Sequence, residues 1–354
     1  MDKAALKTTA DNLVKTGKGI LAADESTGTA GKRLASIGMD NTEDNRRAMR
    51  DMFFSTSGAA EYISGVILFE ETLGQDRVDG KHSFATDMMA HGVIPGIKVD
   101  KGLEDAFEYG EKVTNGLDGL PERLADYYQQ GARFAKWRSV FSITDTLPSA
   151  ACIAENCDRL ARYAKMCQEA GIVPIVEPEM LMDAAGAGHT IDQAYAATVR
   201  VHKALFKKLE EHGVYLGGVL LKPSMVIEGH ACDVCTTTND VAEMTVKCLK
   251  ESVPADVAGV VFLSGGQADT QATEHLNIMN QIAEKQGGLP WPLSFSYGRA
   301  LQGEALRAWG GREDALENAR ATFLHRAKMN SLATKGLYTA DKEDGLCLGK
   351  CACA

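Results

Sequence analysis

The sequence predicts an α/β fold, a (β/α)8 barrel, as one domain over residues 1–338 with a flexible C-terminal tail at 339–354. Three observations predict it. Eight short apolar runs, at residues 19–23, 63–69, 93–99, 132–138, 172–177, 216–221, 259–263 and 293–297, alternate with longer helical stretches. Their centres are rich in Val, Ile, Leu and Phe with little polar alternation, as parallel strands covered on both faces require. The turn after the first run, Leu21-Ala22-Ala23-Asp24-Glu25-Ser26, is not the glycine-rich loop that opens a doubly wound nucleotide-binding sheet.

Taken in order, the runs end on polar residues. The first ends at Asp24, the second at Glu70-Glu71, and the third, Gly96-Ile97-Lys98, at its lysine. The fourth, Phe134-Ala135-Lys136-Trp137-Arg138, precedes a helical stretch at 156–171 with Ala161, Ala164 and Met166 turned inward. The fifth ends Val176-Glu177-Pro178-Glu179 and leads to a helix over 191–213 that Gly213 closes. The sixth, Gly217-Gly218-Val219-Leu220-Leu221-Lys222-Pro223, ends on a lysine whose direction the proline fixes. The seventh ends Leu263-Ser264-Gly265-Gly266, and the eighth ends Ser296-Tyr297-Gly298-Arg299. A long helical region at 304–335 completes the chain.

With 354 residues, 45% of them hydrophobic, the chain can bury a full core. A net charge of −10 favours neither nucleic acid nor an anionic membrane as partner, so an anionic substrate needs a local basic pocket. No apolar run approaches the roughly 20 residues that span a bilayer, and residues 1–9 carry no signal core, so a soluble protein is expected. Nine scattered cysteines read as reduced thiols rather than a disulfide framework. Cys232 and Cys235 have metal-knuckle spacing, but no second pair answers them and the histidines are dispersed, so no metal is expected.

In a barrel, the strand ends share one mouth. A charge ending a buried strand is costly unless paired or functional. Lys98, Lys136 and Lys222 therefore converge with Asp24, Glu177 and Glu179. A free lysine has a pKa of about 10.4, leaving about four amines in ten thousand neutral at pH 7. Burial and neighbouring cations disfavour the ammonium, which makes the amine able to attack a ketone and form an imine. Lys222, after the most apolar run, is the expected nucleophile, with Lys136 as its electrostatic partner. Lys136 or Lys98 merely bridging Asp24 or Glu177 is the competing reading. Glu177 suits a general acid–base role, with Glu179 expected to raise its pKa towards neutrality. Asp24 would hold the lysines or remove a hydroxyl proton. Ser264, Gly265 and Gly266 after the seventh strand, with Ser296 and Arg299 after the eighth, suit a phosphate. Ser26, Thr29 and Arg33, with Lys98, form a second anion set. Two anion sites flanking one amine imply a bisphosphorylated sugar, or two phosphorylated halves joined.

These blocks together (GILAADEST, GIKVDKG, GARFAKWR, IVPIVEPE, LLKPSMV, FLSGGQ, SFSYGRALQ and AWGGRE among them, in order from Gly19 to Glu313) resemble the class I fructose-1,6-bisphosphate aldolases. The resemblance implies a homotetramer that reversibly cleaves the bisphosphate into dihydroxyacetone phosphate and glyceraldehyde 3-phosphate, in glycolysis and gluconeogenesis or the Calvin cycle, with no cofactor and no metal. It assigns the Schiff base to Lys222 and acid–base work to Glu177, with Asp24 and Lys136 assisting and Glu179 nearby. It assigns one phosphate to Ser264, Gly265, Gly266, Ser296 and Arg299, and the other to Arg33, Ser26, Thr29, Lys98 and Arg138. The blocks YYQQGARFAKWR and FEETL resemble the plastid-type branch of plants and algae, which implies the chloroplast stroma, with the cytoplasm as the alternative. One departure stands out. Members of the family usually end in a tyrosine that helps move a proton, whereas this chain ends Lys350-Cys351-Ala352-Cys353-Ala354. The competing functions are a transaldolase-like imine-forming lyase, which needs one phosphate site, and a non-catalytic scaffold, in which the polar strand ends would decay.

Overall fold

Eight parallel strands close on themselves: β1 Gly19–Ala23, β2 Ile63–Leu68, β3 Ile94–Lys98, β4 Phe134–Phe141, β5 Val173–Met180, β6 Leu220–Leu221, β7 Gly259–Phe262 and β8 Leu293–Tyr297. Each pairs with its neighbours in chain order, and β8 returns to β1 through Leu21 and Tyr297. The structure, a computed structural model, describes residues 1–107, 110–182 and 188–345. The expected barrel is therefore the one observed. No helix among the described residues is long and apolar enough to cross a membrane.

Side-chain alternation along the strands builds two cores. Leu21, Ala23, Ala135, Trp137, Val176 and Leu221 face the surrounding helices. Ile20, Ala22, Phe134, Val173, Ile175 and Leu220 face the barrel axis. Counting onward by twos from the inner set reaches Asp24, Lys136, Arg138, Glu177, Glu179 and Lys222. The parity that buries the floor thus aims the charges at the mouth. Register finishes the alignment, because Lys98 lies beside Lys136, and Arg138 beside Glu177.

The floor is closed by a helix that the periodicity did not announce, Lys3–Leu13, capped by the Asp2 carboxylate on the backbone N–H groups of Ala4 and Ala5. Its Leu6, Ala10 and Leu13, with Val14, join the inner core. Burying Leu6 and Leu13 contributes about 2 kcal/mol each. Small residues admit it. A Cβ on Gly65 would lie 2.6 Å from Leu13 Cδ2, and one on Gly259 would lie 2.8 Å from Val14 Cγ1.

Several elements differ from expectation. The sixth strand shrinks to Leu220–Leu221 because residues Leu216–Gly218 form a 3-10 turn against Tyr215. The helix expected at 156–171 spans Ala150–Glu169, started by a cap in which Ser149 Oγ accepts from the Cys152 N–H at 3.1 Å. Ala161 and Ala164 face inward as expected, but Met166 is half-buried, and Tyr163 and Cys167 fill the inner face. The single helical region at 304–335 is two helices, Arg299–Trp309 and Leu316–Ala333. They part at Gly310 and Gly311, whose φ values of 53° and 73° end a helix at little steric cost. An antiparallel hairpin, Leu103–Asp105 with Lys112–Thr114, follows β3 and was not expected. Beyond Tyr338, residues Ala340–Gly345 form a 3-10 segment in which the Glu343 carboxylate accepts from Arg326 Nη1 at 2.6 Å. The remaining tail, including Cys347, Cys351 and Cys353, lies outside the described residues.

Candidate active site

A cavity of about 900 Å3 opens at the C-terminal ends of the strands. It collects Asp24, Lys98, Lys136, Arg138, Glu177, Glu179 and Lys222 from five strands, and Ser26, Thr29 and Arg33 from the segment after β1. Ser264, Gly265, Ser296 and Arg299 complete the wall from the seventh and eighth strand ends. Gly266 is the exception. It does not line the cavity but lies under the His230 imidazole, where a Cβ would come within 2.0 Å of Nε2.

At the centre, Lys222 is 4% exposed and its Nζ lies 2.9 Å from Glu177 Oε1. Lys136 Nζ lies 2.7 Å from Asp24 Oδ2, 3.2 Å from Glu177 Oε2 and 4.0 Å from Asp100 Oδ2. Lys98 Nζ lies 2.7 Å from Asp100 Oδ1 and donates to the Asp100 carbonyl at 2.6 Å. The lysines do converge, yet each meets a carboxylate. Lysine crowding and carboxylate pairing, read from the sequence as alternatives, are both present.

Those pairs set the protonation states. Burial alone would raise the Asp24 carboxyl, but Lys136, Lys222 and Lys98 outweigh it and hold it at about 2. Burial likewise opposes the Lys136 ammonium, and Asp24, Glu177 and Asp100 reverse that, keeping Lys136 charged well above its ordinary range. Glu177 corrects an expectation. Burial pushes its carboxyl up, but Lys136, Lys222 and Arg138 more than cancel that, so it is lowered rather than raised. Glu179 is not the neighbour that tunes it, because Glu179 is taken by Arg138 Nε.

Both regions expected to take a phosphate are built on backbone turns. Ser26 caps the helix Thr27–Ala35, its Oγ 3.4 Å from the Thr29 N–H and 3.2 Å from Thr29 Oγ1. Gly265 takes φ +54° and its carbonyl accepts from Arg299 Nη2. Ser296 Oγ is buried without a hydrogen-bond partner and faces the cavity. Sequence reasoning missed two buried acids of the wall, Glu25 and Asp100. The signal for Asp100 was its place two residues after Lys98. The signal for Glu25 was its adjacency to Asp24, but it lies past the end of β1, where strand alternation no longer fixes direction. Among the described residues, no group of His, Cys, Asp and Glu has the geometry to hold a metal ion.

Comparison with known proteins gives one consistent result. Residues 5–348 match the family described as "Glycolytic: Fructose-bisphosphate aldolase class-I". The chain is 52% identical over 337 residues to a probable fructose-bisphosphate aldolase class 1 of Xanthomonas axonopodis pv. citri, covering 94% of this chain and 98% of that one. It is 53% identical over 330 residues to the cytosolic fructose-bisphosphate aldolase 4 of Arabidopsis thaliana, covering 93% and 82%. The cytoplasmic isozyme of Spinacia oleracea is 53% identical over 323 residues, covering 91% and 88%. The solved fructose-bisphosphate aldolase of Plasmodium falciparum, in complex with TRAP and a small-molecule inhibitor, superposes with a TM-score of 0.92 at 48% identity. That match covers 95% of this chain and 96% of the other.

Proposed function

The chain belongs to the class I fructose-bisphosphate aldolase family, and from that premise we propose which residues carry its chemistry. The reaction is reversible aldol cleavage of fructose 1,6-bisphosphate to dihydroxyacetone phosphate and glyceraldehyde 3-phosphate through a lysine imine. Lys222 Nζ attacks the C2 ketone. The observation that carries this reading is the 2.9 Å contact between that buried amine and Glu177 Oε1. Glu177 is a carboxylate in the free enzyme, so it can take the ammonium proton and leave a neutral amine. The same carboxyl returns a proton to the carbinolamine hydroxyl, which departs as water. Its Oε2 faces the Lys136 ammonium at 3.2 Å, so the proton is carried on Oε1, the oxygen next to Lys222.

Lys136 stays cationic between Asp24 and Glu177 and stabilises negative charge that develops on substrate oxygens. Asp24, held ionised, accepts the C4 hydroxyl proton as the C3–C4 bond breaks. The electron pair passes into the protonated imine, leaving an enamine on Lys222. One phosphate meets Ser264, Gly265, Ser296 and Arg299, and the other meets Ser26, Thr29, Arg33, Lys98 and Arg138.

Residues 1–338 form the catalytic unit in this proposal, with the segment from 339 clamped near its start by Glu343. Assembly as a homotetramer belongs to the same reading. The cytosolic and cytoplasmic plant relatives support a cytosolic rather than a stromal place, with glycolysis and gluconeogenesis as its setting. Mass spectrometry after borohydride reduction with dihydroxyacetone phosphate tests the central claim. A stable adduct on Lys222 is expected, and Lys222→Ala removes it. An adduct on another lysine, or none, overturns the assignment.

A further inference from the structure

Five cations of the cavity are matched by carboxylates: Lys98 by Asp100, Lys136 by Asp24 and Glu177, Lys222 by Glu177, Arg138 by Glu179 and Arg33 by Glu25, whereas Arg299 meets the Gly265 carbonyl. A phosphate that binds at one of these five must share it with an internal carboxylate or replace that carboxylate. The Arg33–Glu25 pair differs from the rest. Arg33 Nε and Glu25 Oε1 are 3.0 Å apart, yet the Arg33 Nε–H has no hydrogen-bond acceptor and Glu25 Oε2 has no partner. The carboxylate is buried, with 5% of its side chain exposed, while Arg33 keeps 22% and reaches towards the strand-eight phosphate loop. A Cβ on Gly298 would lie 4.0 Å from Arg33 Nη2. Arg33 thus stands between the two anion regions, loosely held by one buried acid.

We propose that Glu25 stands in for a substrate phosphate at Arg33, and that an arriving phosphate displaces it, with Glu25 taking up a proton from solvent as Arg33 turns away. The inference rests on the reading that Arg33 binds phosphate. The surroundings of Glu25 favour the exchange. Asp24 lies beside it on the same strand end and opposes its charge. Arg50, from the helix Glu43–Phe54, donates to the Glu25 backbone carbonyl at 2.7 Å, and its guanidinium also pairs with Glu71 at 3.1 Å. Arg33, from the helix Thr27–Ala35, is the cation paired directly with the carboxylate. Burial already raises the Glu25 carboxyl, against the pull of Arg33 and Arg50. Removing Arg33 and placing a phosphate dianion nearby both push it further the same way. Proton uptake then neutralises a buried charge that has lost its partner.

The test uses a hexitol 1,6-bisphosphate, which has no carbonyl and cannot form an imine. Its binding is measured by titration calorimetry near pH 7 in buffers of different ionisation enthalpy. The wild-type protein is expected to take up more protons per bound ligand than Glu25→Gln, and Glu25→Gln is expected to bind about threefold or more tightly, because the internal competitor is gone. Arg33→Gln serves as the second variant, losing the Glu25-dependent uptake while binding more weakly. Equal proton uptake in wild type and Glu25→Gln overturns the inference, as does weaker binding by Glu25→Gln. If Arg33→Gln binds the bisphosphate as well as wild type does, the phosphate reading of Arg33 itself fails. Borohydride trapping on Lys222 in each variant reports separately on the catalytic assignment.

Discussion

At the scale of single residues, the proposed chemistry turns on the pairing of Glu177 with Lys222 and Lys136. Glu177→Gln keeps the shape but cannot carry a proton, so kcat should fall about 10²- to 10⁴-fold while binding of a non-cleavable bisphosphate changes little. Loss of binding in step with kcat would point to a structural role instead. Asp24 makes a prediction about pH. Its folded value of about 2 lies below the ordinary 3.8, so it stabilises the fold above that ordinary value, and the contribution disappears as pH falls towards 2. Asp24→Asn should cost about 2 kcal/mol at pH 7, with the gap roughly halved at pH 3, as read from urea midpoints. The acids and lysines of this set were legible because each ends an apolar run, where a charge needs a reason. Their protonation states were not. Glu179 was expected to raise Glu177, but Arg138, 41 residues earlier in the chain and in register with Glu177, reaches diagonally across the strand pair and claims Glu179. Asp100 and Glu25 lie just past their strand ends, in turns whose direction periodicity does not specify.

At the scale of elements, the strands were legible and the helix ends were less so. Short apolar runs with little polar alternation mark the strands, but at β6 Gly217 and Gly218 let a 3-10 turn replace half of the run. The helix Ala150–Glu169 starts on a serine cap that resembles loop composition, and Gly310-Gly311 divides a region whose residues are otherwise good helix formers. The floor glycines carry the element-scale prediction. On Gly65, a Cβ would meet Leu13 Cδ2 at 2.6 Å and the Ile94 carbonyl oxygen at 3.1 Å. Gly65→Ala should therefore destabilise the protein by about 1–3 kcal/mol. Adding Leu13→Ala should recover part of the loss, since Leu13 is one of three obstacles, with the Phe134 ring at 3.0 Å and the Ile94 carbonyl. Strictly additive effects in denaturant unfolding would show that the helix does not press on the strand.

At the scale of the whole molecule, chelators should leave cleavage unchanged, because a protonated imine supplies the electron sink that a metal would otherwise provide. A loss of activity with a chelator that added divalent ion restores would contradict this. Tyr338 does not line the cavity; it is buried and donates its hydroxyl to Glu343 Oε1 at 2.9 Å. The proposed chemistry uses no group beyond residue 345, so deleting residues 347–354 should reduce cleavage less than tenfold. The seal under the barrel, made by Lys3–Leu13, has a consequence for how the chain is made on the ribosome. This segment is synthesised before every strand of the barrel, yet its seat is framed by Gly65, Gly218 and Gly259 and is completed only when Leu293–Tyr297 has emerged, about 280 residues later. At roughly 5–20 residues per second, the nascent helix waits about 15–60 s with Leu6, Ala10 and Leu13 uncovered. A piece that leaves the exit tunnel ahead of the barrel finds its place only after the barrel has closed.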